Sequence, residues 1–187
     1  MTALDEIRAA IGPAAVLTDP ADRARYEQGA RYDRGTALAV LRPANTGEVA
    51  ACVAIAARHG VRIVPQGANT GLVGGSTADD SGTELVLSLE RLKAFAPDLD
   101  NASATAGAGV LLSELNAKLA DDGMFFPIDL GADPSVGGMI ATNTGGARFL
   151  RHGDVRANVM GLTAVLPDGQ VLRCGRGLRK DNTGPDW

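Results

Sequence analysis

Residues 65 to 76 read Pro65-Gln66-Gly67-Ala68-Asn69-Thr70-Gly71-Leu72-Val73-Gly74-Gly75-Ser76. They follow Val61-Arg62-Ile63-Val64, a β-branched run that reads as a buried strand. Glycines and small polar residues around Leu72 and Val73 let the backbone pass close to a ligand. Successive exposed N–H groups in such a loop form a concavity that favours an anion, typically a phosphate. Asn69, Thr70 and Ser76 can add side-chain hydrogen bonds. The stretch holds no Lys or Arg, so backbone dipoles must carry the phosphate. Taken alone, a Gly-rich loop behind a strand is as readily a plain turn.

A second Gly-rich segment tips the balance. Residues 131 to 146 read Gly131-Ala132-Asp133-Pro134-Ser135-Val136-Gly137-Gly138-Met139-Ile140-Ala141-Thr142-Asn143-Thr144-Gly145-Gly146. Asp133 suits an N-cap and Pro134 the first helical position. A short helix over 134–142 would aim its first N–H groups at an anion.

Outward from these segments the chain alternates strands and helices. Leu4, Ile7 and Ile11 share one face of an amphipathic helix that Gly12-Pro13 ends. Residues 36–41 read as a strand. Asn45 or Thr46 caps a helix to about His59, with Val49, Cys52, Val53 and Ala56 inward and Gly60 closing it. With strand 61–64 this forms a βαβ unit, whose two strands are expected parallel. Residues 84–89 give another strand, 103–108 a further one, and 111–122 a helix with Leu112, Leu115 and Leu119 inward. Residues 158–166 and 170–174 flank Asp168-Gly169, a hairpin signal. Gly107-Ala108-Gly109 imitates a dinucleotide fingerprint, but Leu112 occupies the third glycine position and no acid-bearing strand follows. Close strand-to-helix packing accounts for those glycines.

The chain has 187 residues and 45% apolar content, enough for a core in one domain or two small lobes. Its formal net charge of −4, without blocks of like charge, gives no footprint for nucleic acid. No apolar run reaches the length of a membrane span, and no basic-then-apolar leader opens the sequence, so a cytoplasmic protein is expected. Cys52 and Cys174 read as two plain thiols rather than a disulfide, metal pair or catalytic thiol.

Further motifs carry a resemblance. They are Phe126-Pro127-Ile128-Asp129-Leu130-Gly131, Arg148-Phe149-Leu150-Arg151-His152-Gly153, Asn158-Val159-Met160-Gly161-Leu162, Leu166-Pro167-Asp168-Gly169 and Arg179-Lys180-Asp181-Asn182-Thr183-Gly184. With the two glycine segments, they resemble the PCMH-type FAD-binding domain of the vanillyl-alcohol-oxidase-like superfamily. The chain is most similar to the branch of FAD-linked D-2-hydroxy-acid dehydrogenases. That branch includes D-lactate dehydrogenases, glycolate-oxidase flavin subunits and D-2-hydroxyglutarate dehydrogenases. The resemblance runs from about Tyr26 to Trp187.

The resemblance implies an α+β, two-lobed domain: a small α/β lobe with parallel strands and a larger mixed-sheet lobe. Residues 1–35 form an N-terminal helical segment, 36–100 the first lobe and 101–187 an incomplete second lobe, and the C-terminal cap domain is absent from the chain. Where relatives usually show Tyr-Asp-Leu after Asn-Thr-Gly, this chain has Pro185-Asp186-Trp187. The implied cofactor is FAD. Its contacts are Gln66, Gly67, Ala68, Asn69, Thr70, Gly71, Gly75 and Ser76 from the first segment, and Pro134, Ser135, Gly138, Thr142 and Gly145 from the second. Asn69 stands where relatives that attach FAD covalently have histidine, so non-covalent FAD is expected. The implied reaction oxidises a D-2-hydroxy acid to a 2-oxo acid and passes electrons to an acceptor. Its base and metal ligands are expected in the cap domain, so this chain alone is expected to be inactive and, with uncovered surface, to self-associate. The alternatives are a non-catalytic flavin-binding or assembly module beside a partner chain, or an apo fragment.

His59 and His152 are the only histidines. His59 falls near a helix C-terminus, where a charge-complementing role is expected. His152 lies between Arg151 and Gly153 in a loop that the resemblance places near the flavin, and is the histidine offered as a catalytic candidate. The histidines and carboxylates make no zinc site. Arg34, Arg148 and Arg151 can meet a substrate carboxylate, since Arg suits bidentate recognition.

Overall fold

A computed structural model describes residues 1–31 and 34–175. The Arg179–Gly184 motif and residues 185–187 lie outside the described residues. Helix α1 (Ala3–Ile11) opens with a capping box in which Thr2 Oγ1 accepts from Asp5 N and the Asp5 carboxylate accepts from Thr2 N. Then come β1 (Val16–Leu17), α2 (Pro20–Arg23), β2 (Ala37–Leu41), α3 (Thr46–Arg58), β3 (Ile63–Gln66) and β4 (Glu84–Ser88). The four strands form one sheet in the order β1-β2-β4-β3. β2 and β3 each run parallel to β4, and β1 runs antiparallel to β2. The two strands of the βαβ unit are therefore parallel, but they do not pair with each other, because β4 lies between them.

Every residue of β4 is buried, since the sheet is covered on both faces. Leu85 and Leu87 pack with Ala39 and Leu41 against α1 and α3, around Ile7 and Cys52. Val86 faces the other way, with Val40, Ala37, Tyr26 and Ala78. An irregularity between Ala37 and Ala39 inserts one extra residue into β2, and this puts Ala37 on the same face as Val40. Helix α1 packs onto this lobe: Glu6 meets Arg58 at 2.6 Å and His59 at 2.8 Å at the end of α3. His59 thus closes α3 beside the Glu6 carboxylate.

The expected strand at 61–64 lies two residues later. Val61 N donates back to Ala56 O at 2.9 Å, so residues 60–61 still belong to the exit of α3. Gln66 consequently ends a strand rather than opening a loop.

The second lobe holds the antiparallel ribbon β5 (Phe95–Asp98) and β6 (Ser103–Ala106), then α4 (Leu112–Ala120), α5 (Val136–Thr142), α6 (Phe149–His152) and α7 (Val155–Asn158). A second antiparallel hairpin, β7 (Leu162–Val165) and β8 (Val171–Cys174), follows. The sheet of this lobe thus takes the form, among the described residues, of two separate ribbons. Leu112, Ile128, Met139 and Val155 make one core, and Val110, Leu115 and Leu119 another. The strand expected from Asn158 starts only at Leu162, because Asp154 caps α7 by accepting from Ala157 N at 3.0 Å. The hairpin turn rests on α3: Gly169 has φ +88°, and a Cβ there would stand 2.6 Å from Ala54 Cβ.

Candidate functional site

The first glycine segment leaves the C-terminal end of β3, beside the C-terminal ends of the parallel strands β2 and β4. Ligands in open α/β sheets bind at that edge. Gln66 is 2% exposed, and its Nε2 donates to Tyr26 O at 2.9 Å and Ser76 O at 2.7 Å. The carboxamide therefore staples both ends of the loop to the N-terminal segment. Asn69 sits at φ +54°, a left-handed conformation that Asn tolerates better than most residues. Its Nδ2 donates to Gln28 O at 2.7 Å, and its Oδ1 accepts from Ser76 Oγ at 2.8 Å. The polar side chains of Gln66, Asn69 and Ser76 are thus occupied in holding the loop's shape.

The backbone of the loop is left open. Among the described residues, the amide N–H groups of Ala68, Asn69, Thr70, Gly71 and Leu72 meet no acceptor. Gly75 has nothing within 4 Å of where a Cβ would stand, and Gly71 only Val73 O at 3.9 Å. Gly71 does not have the positive φ that would by itself demand glycine. The loop offers consecutive donors on small residues, framed by three side chains.

The second segment meets the first at one point. A Cβ on Gly67 would overlap Ser135 Oγ, far inside 3.0 Å. Ser135, and not Asp133, is the N-cap of α5, with its Oγ accepting from Gly138 N at 3.2 Å. Pro134 therefore precedes the cap instead of opening the helix. Asp133 is engaged elsewhere: its carboxylate accepts from Ser113 N at 2.9 Å and Ser113 Oγ at 2.6 Å in the first turn of α4. The expectation that α5 aims its first N–H groups at an anion does not stand. Val136 N donates to Val110 O at 2.8 Å, Gly137 N to Ala108 O at 2.9 Å, and Gly138 N to the Ser135 cap. Tertiary partners consume those donors. Pro134 and Ser135 are buried, whereas Thr142 is exposed and Gly138 and Gly145 are half-buried. Thr142 Oγ1 lies 3.0 Å from Gly138 O and 2.6 Å from Thr144 Oγ1. Gly107 and Gly109 are closely packed, but against the 89–92 backbone rather than between strand and helix, since Cβ atoms there would overlap Leu92 O and Leu89 O.

Beyond α5 the chain is tied down by residues outside the expected contacts. Asn143 takes φ +44°, donates to Asp154 Oδ2 at 2.9 Å and accepts from Arg156 N at 2.9 Å. The N–H of Ala157, then the Asn143 carboxamide, hold the Asp154 carboxyl below the ordinary aspartate value. Asn143-Thr144-Gly145-Gly146 with an Asp eleven residues after the Asn was the only trace of this in the sequence. Arg148, Arg151 and His152 come together around an open cleft of about 510 Å³ with Phe125, Ala147 and Leu150. Arg148 lies 3.3 Å from Asp129 and 5.3 Å above the Phe125 ring, and His152 packs edge-on against the same ring. Arg34 does not join this cleft. Cys52 and Cys174 are buried and unbonded to each other, as read.

Comparison with known proteins matches residues 37–175 to the family described as FAD binding domain. Mitochondrial D-2-hydroxyglutarate dehydrogenase of Bos taurus is 40% identical over 178 residues, covering 93% of this chain and 32% of that protein. D-lactate dehydrogenase of Archaeoglobus fulgidus is 39% identical over 146 residues, 78% of this chain and 32% of that one. The chain thus spans about a third of the length of these relatives. Among solved structures, alkyldihydroxyacetonephosphate synthase superposes with a TM-score of 0.84 at 20% identity, over 94% of this chain and 34% of that chain. At that identity the likeness speaks for the fold alone. The expectation of a cytoplasmic protein is overturned, because the bovine relative and that of Rattus norvegicus, at 38% identity, are named mitochondrial. No helix among the described residues is long and apolar enough to cross a membrane, but that feature does not distinguish one aqueous compartment from another.

Proposed function

This chain belongs to the FAD binding domain family, and on that premise we propose that it is the flavin-holding part of an FAD-linked dehydrogenase of D-2-hydroxy acids. The N–H groups of Ala68 to Leu72 hold the anionic pyrophosphate, which adds no positive side chain to the site. The second segment braces the loop at Gly67 through Ser135 and lines the cofactor with Gly138, Thr142 and Gly145. Bound FAD supplies an isoalloxazine ring that accepts two electrons from the substrate carbon. This chain's part is to bind and orient that cofactor. The Arg148, Arg151 and His152 cleft suits the carboxylate of a 2-hydroxy acid, since guanidinium groups recognise carboxylates in bidentate fashion. Similarity to D-2-hydroxyglutarate and D-lactate dehydrogenases supports that substrate class.

The observation that carries the reading is the row of amides from Ala68 to Leu72, which meet no acceptor among the described residues. Titration of the chain with FAD, followed by flavin fluorescence, tests it; saturable quenching with one FAD per chain is expected. Asn69 cannot form the histidine linkage, and its side chain is already bonded to Gln28 and Ser76. Acid precipitation of the loaded protein should therefore release all flavin to the supernatant, and a yellow pellet would refute non-covalent attachment.

A further inference from the structure

Tyr26 lies forty residues before Gln66 and Glu90 fourteen after Ser76, outside both glycine segments, yet both reach the base of the first loop. Tyr26 is 3% exposed. Its backbone carbonyl takes the Gln66 Nε2 hydrogen bond at 2.9 Å, and its hydroxyl donates to Glu90 Oε1 at 2.7 Å. Arg42 Nε donates to the same Oε1 at 2.7 Å, and Arg25 Nη2 lies 3.0 Å from both carboxylate oxygens. The Arg25 guanidinium also stacks 4.4 Å over the Tyr26 ring and bonds its hydroxyl. Arg42 directly follows β2 and Glu90 lies just past β4, so the cluster sits on the same sheet edge as the loop.

Each link has a reason to be rigid. The Tyr26 ring is locked between Val40, Val86 and Ala78 beneath the sheet. Burial alone would raise the Glu90 carboxyl, but hydrogen bonds from Tyr26 and Arg42 and the charges of Arg25 and Arg42 hold it below the ordinary glutamate value. Glu90 therefore stays ionised and keeps accepting from Tyr26. Gln66 then carries this fixed position of Tyr26 O to Ser76 O, where the loop ends. A loop of small residues with no packed side chain of its own at the tip has little else to hold its amides in one direction: Leu72 is 59% and Val73 78% exposed.

We propose, on the reading that this loop holds the flavin pyrophosphate, that Tyr26 and Glu90 are positioning residues for FAD, acting through Gln66 to keep the loop amides preorganised. Neither touches the cofactor. Their contribution is the ordering that the loop would otherwise undergo on binding. The position is distinct from the Asn69 brace, which closes the loop on Ser76 and ties it to Gln28 O, not to the Tyr26–Glu90 cluster.

The test compares the full chain with Tyr26→Phe, Glu90→Gln and Gln66→Met, and with Ile7→Val, which trims the core between α1 and α3. Two quantities are read: the Kd for FAD by fluorescence titration, and amide hydrogen exchange without FAD at Gly75 and Thr77, whose N–H groups are bonded to Val73 O and Gly74 O at the end of the loop. Loss of one hydrogen bond from the chain should weaken FAD binding by roughly three- to tenfold in Tyr26→Phe, with a larger loss in Gln66→Met, where both staples go. Exchange at Gly75 and Thr77 should speed up in these variants and in Glu90→Gln. Ile7→Val should lower the melting temperature and leave both quantities unchanged. Wild-type Kd and exchange in Tyr26→Phe and Glu90→Gln would overturn the positioning role while leaving the flavin reading intact. Altered exchange with an unchanged Kd would also overturn it. A wild-type chain that does not bind FAD would remove the reading and the positioning role together.

Discussion

Gly67 is the joint between the two glycine segments, and Gly67→Ala tests it most directly. The added Cβ would overlap Ser135 Oγ, while Ser135 Cβ at 3.4 Å and Gly138 N at 3.9 Å are ordinary neighbours. Ser135 is 2% exposed and cannot move out into solvent. If the hydroxyl rotates away, it abandons Gly138 N and the α5 cap, at a cost of about 1 kcal/mol. If the loop is pushed off instead, overpacking costs ~1–3 kcal/mol. The narrower unfolded ensemble of Ala returns ~0.5 kcal/mol, so the net loss is about 0.5–2.5 kcal/mol. Ser135→Ala alone should cost about 1 kcal/mol as a lost cap. In the double variant nothing overlaps, so it should lose only about 0.5–1 kcal/mol, less than the sum of the singles. Urea denaturation of the four proteins closes the cycle, and the FAD Kd should follow the same pattern. Losses that add within ~0.5 kcal/mol would show that Gly67 and Ser135 do not touch, and the contact between the segments would fall with them.

Asn69→Ala removes the bonds to Gln28 and Ser76 and places Ala at φ +54°, so a loss of about 2–3 kcal/mol and weaker FAD binding are expected by denaturation and titration. Asn69→Gly should recover part of the stability, the part due to backbone strain alone. Cys52 is fully buried, and burial followed by the Glu48 charge pushes its thiol up to about 12. A thiol-specific chromogenic reagent should therefore not label it until denaturant is added; rapid labelling of Cys52 in the folded chain would contradict its placement. The carboxyls of Asp5, Glu6, Asp79, Glu90, Glu114 and Asp154 all sit below their ordinary values in the folded chain. Below the ordinary values of 3.8 for aspartate and 4.5 for glutamate, the unfolded chain therefore binds more protons. Their stabilisation is present above that range and lost as pH falls through it, so melting temperature should fall steeply below about pH 4.5. A melting temperature independent of pH between 3 and 6 would refute those pairings. Asp133→Ala should destabilise by about 1 kcal/mol through the first turn of α4, not through α5, as helix-resolved hydrogen exchange would show.

The sheet was legible because β2 and β4 are short apolar runs, Ile63-Val64 opens β3, and α3 has Asn45 or Thr46 to cap it and Gly60 as its stop. Strand order was not. Nothing in residues 84–88 says that they insert between the two strands of the βαβ unit; that follows from burial on both faces, which only the strand most completely covered can satisfy. The short helices α6 and α7 were illegible for a different reason. Four residues carry no periodicity, and α7 exists because the Asp154 side chain captures Ala157 N.

The site divided along the same line. The donors of the first loop could be read from composition, because a run of small residues after a strand leaves amides bare. The support of those donors could not, because it comes from single side chains that are ambiguous in sequence. Asp133 before Pro134 looks like a helix cap, and local spacing favours that assignment. It loses because Ser135 can reach Gly138 N from a buried position, while the Asp133 carboxylate finds two donors on Ser113 in a neighbouring helix. Gln66 likewise looks like one more polar residue in a ligand loop. Placed at the end of β3 it must point inward, where an uncharged double donor can satisfy two carbonyls at once and a lysine could do so only by burying a charge. Composition therefore exposes where a backbone is free to bind. Which side chains hold it in that shape is decided by contacts forty residues apart, at Tyr26 and Gln66, and the same logic makes those two residues, rather than the glycines, the sharper place to perturb the site.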